Sequence, residues 1–190
     1  SLLIFKMLAN FYFEFEQNYQ RLRGEYDDIE LHMREFESYS SWNANVADHF
    51  ATRANEVQWQ RREEFLHCCA FHKQYYNDLV MTRVQIANAR IREITSIFLK
   101  LTETWARVSF RWMEIQAAPV LMEHDRNDLI RRLVAMFDLP QLNAELSSLF
   151  VLFKKKKQEI IKDKDLCEQD CSDAVGRFAL VTARAYRLKN

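Results

Sequence analysis

Four cysteines stand in two close pairs, Cys68 with Cys69 and Cys167 with Cys171, and His67 and His72 flank the first pair. Thiolate and imidazole are the ligands of tetrahedral zinc, so a metal or redox centre would form if the two segments met. Neither pair lies in the kind of ligand loop that structural zinc sites use, and cysteine otherwise packs as a small hydrophobe. The cysteines are therefore read as a thiol-rich core layer, with no metal ligand and no cofactor assigned. Glu64 and His67 match the Glu-x-x-His element that carboxylate-bridged di-iron bundles use twice. The second copy is missing, because Asp28 precedes His32 by four residues and Glu123 adjoins His124. Gly24 and Gly176 are the only glycines, which leaves no phosphate-cradling loop, and no nucleophile elbow occurs. No catalytic residue is assigned, and the chain is read as non-enzymatic with no small-molecule substrate.

Two further groups point to binding. Lys154, Lys155, Lys156 and Lys157 are the one basic concentration, a candidate contact for an anionic membrane surface. Four consecutive lysines wrap all sides of a helix, so at least one must approach the helix interface. Acidic residues from Glu159 to Asp170 follow closely and offset the run. Among 14 Phe, 7 Tyr and 4 Trp, Trp105 and Trp112 fall at core spacing. Trp42 and Trp59 fall off it and are candidate partner contacts, with Phe110, Met113, Phe150 and Phe153.

The elements that position these residues are helices. Phe5, Leu8, Tyr12, Phe15, Tyr19, Leu22, Tyr26, Ile29, Met33 and Phe36 alternate steps of three and four, as do the positions from Val80 and Val84 through Phe98, Leu101, Trp105 and Trp112 to Ile115. A third series runs Cys167, Cys171, Ala174, Phe178, Val181, Ala185, Leu188. A mean step of 3.5 residues keeps one apolar stripe on one helix side and demands a partner helix along its whole length. Two Gly and two Pro in 190 residues leave little material for turns. These features predict an all-α fold: an elongated antiparallel bundle of three to four long helices with coiled-coil-like packing, one domain over 1–190. The chain opens on Ser1, which predicts a segment of a larger protein.

The breaks give a pairing model. The polar cluster from Ser38 to Ser41 predicts the end of the first helix near Ser38, with Ser41 capping a second helix from Trp42 to Ala118. A five-residue step from Tyr75 to Val80 predicts a phase slip there. Pro119 ends the second helix, a short helix follows to Phe137, and Asp138, Leu139, Pro140 read as a cap with proline in the first turn of the last helix. A hairpin at residue 42 would set 5–36 beside 48–80. A hairpin at residue 118 would set Cys68 and Cys69 level with Cys167 and Cys171, with the last helix parallel to the first. The model is a three-helix body of residues 5–80 and 157–190 with a two-helix extension, 81–156, too apolar to stand uncovered in water.

Balanced charge, 27 basic against 27 acidic side chains, gives no field for nucleic acid. Lys6, Glu14 and Glu16 interrupt the apolar opening stretch, so it reads as core helix rather than membrane span. Reduced thiols on long helices point to the cytoplasm. The expected function is a helical scaffold or oligomerisation module, binding protein partners and forming a homo-oligomer through surplus apolar seams. In helix count and lengths the layout is similar to the BAR-type dimeric crescent, a resemblance that implies a membrane-curvature module whose lysines meet lipid headgroups.

Overall fold

The computed structural model describes residues 2–53, 59–118 and 123–189; side chains at 2, 40–44, 46–47, 50–51, 53, 59–62, 64–65, 68–69, 72, 178 and 181–189 lie outside the description. The fold is all-α. Four helices follow in order: α1 Leu2–Arg53, α2 Trp59–Ala117, α3 Glu123–Met136 and α4 Leu139–Lys189. The chain divides into two compact units, Ser1–Ile29 with Ile91–Lys157, and Glu30–Arg90 with Gln158–Asn190. The expected body and extension are thus replaced by a different partition. In the first unit the opening segment of α1 covers the apolar part of α2 that was expected to project.

The turn expected at residues 38–42 does not exist. Without glycine or proline, polar residues alone do not stop a helix, and Ser38 donates to the Glu35 carbonyl at 2.6 Å from within α1. Residue 41 accordingly lies inside α1 rather than at the start of a second helix. This relocation changes the pairing of α1 with α2. In the first unit α1 and α2 run antiparallel, with Tyr12 facing Ser109, Tyr19 facing Thr102 and Tyr26 facing Thr95. The two cleanest apolar stripes of the sequence therefore bury each other: Phe15, Tyr19, Leu22 and Ile29 against Ile94, Val108, Trp112 and Ile115, each at most 3% exposed. Burial of a large apolar side chain contributes about 1.5–3 kcal/mol, which makes this interface the main source of the unit's stability.

The parallel course of α4 beside α1 agrees with the sequence reading. In the first unit, the buried Asn143 donates to the Phe11 carbonyl at 3.3 Å and accepts from Asn18 at 3.4 Å. Farther along the same pair, Lys157 reaches Glu25 at 2.6 Å. Phe137 and Asp138 break the helix between α3 and α4. Asp138 then caps α4 as its sequence predicts, accepting from the Gln141 amide at 3.1 Å.

The second unit holds Met33 and Phe36 of α1, Tyr76, Val80, Val84 and Ala87 of α2, and Ile160, Cys167, Cys171 and Ala174 of α4 in its core. The expected slip at Tyr75 is removed by one residue. Tyr76 is buried while Tyr75 is 53% exposed, so the stripe steps from 76 to 80 by four and α2 continues without a break. Ion pairs join the helices here: Arg83 to Asp170 at 2.9 Å, Arg90 to Asp163, and Lys164 to Glu35 at 2.7 Å.

Candidate functional site

The most ordered arrangement in the first unit is a ladder with a period of seven residues. Tyr12, Tyr19 and Tyr26 stand on α1, and Ser109, Thr102 and Thr95 face them on α2 at 3.4, 2.9 and 3.1 Å between oxygens. Each phenol ring stacks on an aromatic ring of α2: Tyr12 on Trp112 at 4.9 Å, Tyr19 on Trp105 at 4.5 Å, Tyr26 on Phe98 at 4.3 Å between centroids. A heptad separates successive rungs on both helices, so like side chains recur on one side of each. The indole Nε1 of Trp105 donates to Glu16, which satisfies its polar edge. Burial raises the Tyr12 phenol pKa above its ordinary value; its hydrogen bond with Ser109 opposes that shift, and the Glu16 carboxylate adds to it. Sequence reasoning placed all these rings in the core but missed the hydroxyl partners, although the tyrosines and the Ser/Thr set share a spacing of seven.

The expected partner contacts separate. Phe110 and Met113 are exposed, at 59% and 62%, and with Leu99 at 63% and Ala106 they form one line on α2 away from its buried stripe. Phe13 of α1, also exposed, lies edge-on to Trp112 of the buried stripe. Phe150 is half-buried, with the Arg21 guanidinium 4.4 Å above its ring. Phe153 is fully buried among Tyr26 and Phe98, because the α4 stripe points it into the core, and it leaves the partner set. The side chains of Trp42 and Trp59 lie outside the described residues.

The lysine run divides as helical geometry requires. Lys154 and Lys155 are exposed, the former 5.3 Å from the Phe150 ring. Lys157 turns inward to Glu25 and Asp28, at 2.6 and 3.5 Å. Its hydrogen bond to Glu25 raises its pKa above the ordinary lysine value. One of the four candidate contacts for an anionic surface therefore clamps α4 to α1 instead.

The cysteine alignment assumed from the sequence is overturned. In the second unit the Arg83–Asp170 pair sets residue 83 of α2, rather than 68 or 69, level with Cys167 and Cys171. The side chains of Cys68 and Cys69 lie outside the described residues. Cys167 and Cys171 are buried and share a hydrogen bond, which lowers the Cys167 pKa, with Arg83 assisting, and raises that of Cys171. Among the described residues no three His, Cys, Asp or Glu side chains group as metal ligands. Beside Cys171 a cavity of about 460 Å³ is lined by Ser38, Tyr39 and Glu168. In the first unit an almost wholly apolar cavity of about 450 Å³ lies between Ile4, Met7 and Phe11 of α1 and Val134, Phe137 and Pro140.

These features define the molecule as an all-α bundle with coiled-coil-like helix pairing, and no described helix is long and apolar enough to cross a membrane. No family model matches the chain, and no curated protein or solved structure is significantly similar to it.

Proposed function

We propose that the chain is a non-catalytic helical assembly module that joins protein chains through apolar surface its own helices leave open. The observation that carries this reading is the line of Leu99, Phe110 and Met113 on α2, each about 60% exposed on a helix whose opposite side is already buried. Exposed apolar side chains gathered on one face of a helix, here interrupted by Glu103 alone, mark interaction sites in folded proteins. The described charged groups also support it, since Lys157, Arg83, Arg90 and Lys164 serve helix-to-helix ion pairs rather than converging on a cleft.

The test is light scattering of the wild-type chain and of a Leu99→Ser, Phe110→Ser, Met113→Ser variant over a concentration series. Assembly predicts a wild-type mass above 22.8 kDa. The variant should stay at that mass with an unchanged melting temperature, because none of the three side chains belongs to the core. Equal masses for the two proteins at every concentration would overturn the reading.

A further inference from the structure

We infer that the partner at this surface is a second copy of the chain, docked antiparallel along α2. The inference rests on the assembly reading and adds to it the occupant and its direction. Positions 99, 103, 106, 110 and 113 alternate steps of four and three, which is a coiled-coil seam on the side of α2 away from its buried stripe. Leu99, Phe110 and Met113 there are each about 60% exposed and leave roughly 100 Å² of side chain apiece in water. Together they offer roughly 300 Å², most of the apolar half of the roughly 800 Å² per partner that a stable interface buries. One copy thus carries most of the apolar area that a two-fold pair needs.

Size and charge then select the direction. Ala106 lies one seam step from Phe110. In an antiparallel pair, Phe110 of each copy meets Ala106 of the other, a large side chain over a small one, twice. A parallel pair sets Phe110 on Phe110 and Ala106 on Ala106, crowding one layer and emptying the next. Lys100, Arg107 and Glu114 follow at intervals of seven along the outer edge of the same seam. In a parallel pair this edge would meet the opposite edge of the seam, Thr95, Thr102 and Ser109, so none of the three charges would find a complementary one. Antiparallel copies bring Lys100 beside Glu114 at both ends and leave only the two Arg107 side chains together. Each Arg107 is already drawn toward the Phe137 ring of its own chain, 5.4 Å away. Glu103 is the one charge within the seam, and it keeps the association reversible.

The experiment is a charge exchange read by sedimentation. Lys100→Glu and Glu114→Lys should each weaken self-association about ten-fold, because each change affects two symmetric pairs. The double variant should return to within about two-fold of wild type. Glu103→Leu should tighten association by at least about ten-fold by removing the buried carboxylate. Circular dichroism checks that every variant keeps its helix content. If the wild-type chain associates through the stripe but the double variant is no better than the single ones, antiparallel pairing is overturned while the assembly reading stands. If Glu103→Leu leaves association unchanged, the seam assignment is overturned. A wild-type chain that remains at 22.8 kDa throughout overturns both.

Discussion

Replacing Tyr19 by Phe removes one oxygen from the middle rung of the ladder and leaves its ring in place. Tyr19 is 1% exposed, its hydroxyl lies 2.9 Å from Thr102 Oγ1, and its ring stacks on Trp105 at 4.5 Å. The change therefore isolates a hydrogen bond from packing. A neutral hydrogen bond contributes about 0.5–1.5 kcal/mol net. The freed Thr102 hydroxyl can turn to the carbonyl four residues earlier in α2, so the loss should sit near about 1 kcal/mol rather than at the full cost of an orphaned group. For a chain of this size that lowers the melting temperature by about 2–4 °C. Thr102→Val should cost a similar amount. The double variant should cost little more than either, giving a coupling of about 1 kcal/mol in a double-mutant cycle. Urea unfolding followed by tryptophan fluorescence reports it, because Trp105 and Trp112 stand within the ladder. Tyr12→Phe should cost least of the three tyrosines, since its oxygen is 3.4 Å from Ser109. Additive effects of Tyr19→Phe and Thr102→Val, or a Tyr12→Phe cost larger than that of Tyr19→Phe, would refute the reasoning.

Phe153→Ala should destabilise by about 3–5 kcal/mol through a core cavity, while Phe110→Ala should change monomer stability by less than about 0.5 kcal/mol; thermal unfolding of both at low concentration separates core from surface. Asp138→Ala should cost about 1 kcal/mol by removing the cap of α4, and Asp138→Asn only about a few tenths, because asparagine also accepts from the Gln141 amide; denaturant titration distinguishes them. At alkaline pH the raised phenol pKa values of Tyr12, Tyr39 and Tyr76, all caused first by burial, mean that the folded chain holds these protons more tightly. Stability should be flat below the ordinary tyrosine value of 10.0 and fall as pH rises through it, which denaturant titration at each pH would show.

The stripes were legible because burial repeats with the helix: the positions picked from Leu8 to Phe36 are buried in the structure, and so are most of those from Val80 to Ile115. The cap at Asp138 was legible because its chemistry is local. The first turn was not. Ser38 to Ser41 carry the composition of a loop, but a serine also bonds backward within a helix, and only tertiary packing decides between the two. Misplacing that turn left the stripe of α2 without its partner on α1, which is why a two-helix extension was expected to need an outside one; the level of Cys68 and Cys69 failed separately, because a hairpin at residue 118 ignores the length of α3, and Arg83 meets Asp170 instead. Phe153 was misassigned for a related reason. The α4 segment around it is apolar on several sides, and sequence alone does not say which side meets Tyr26 and Phe98.

The repetition in the ladder makes the pairing of α1 with α2 nearly degenerate. Sliding one helix past the other by seven residues, about 10 Å, would bring Tyr19 to Ser109 and Trp112, and Tyr26 to Thr102 and Trp105. Two rungs of three would re-form with the same chemistry. What breaks the tie is everything that occurs once: Asn143 on the Phe11 carbonyl, and Arg126 over the Phe5 ring. A chain whose strongest contacts are interchangeable thus depends on its weakest, unrepeated ones to choose between alignments. Erasing Asn143 would then narrow the margin between alignments, leaving Lys157 on Glu25 and Arg126 over Phe5 to hold the native one.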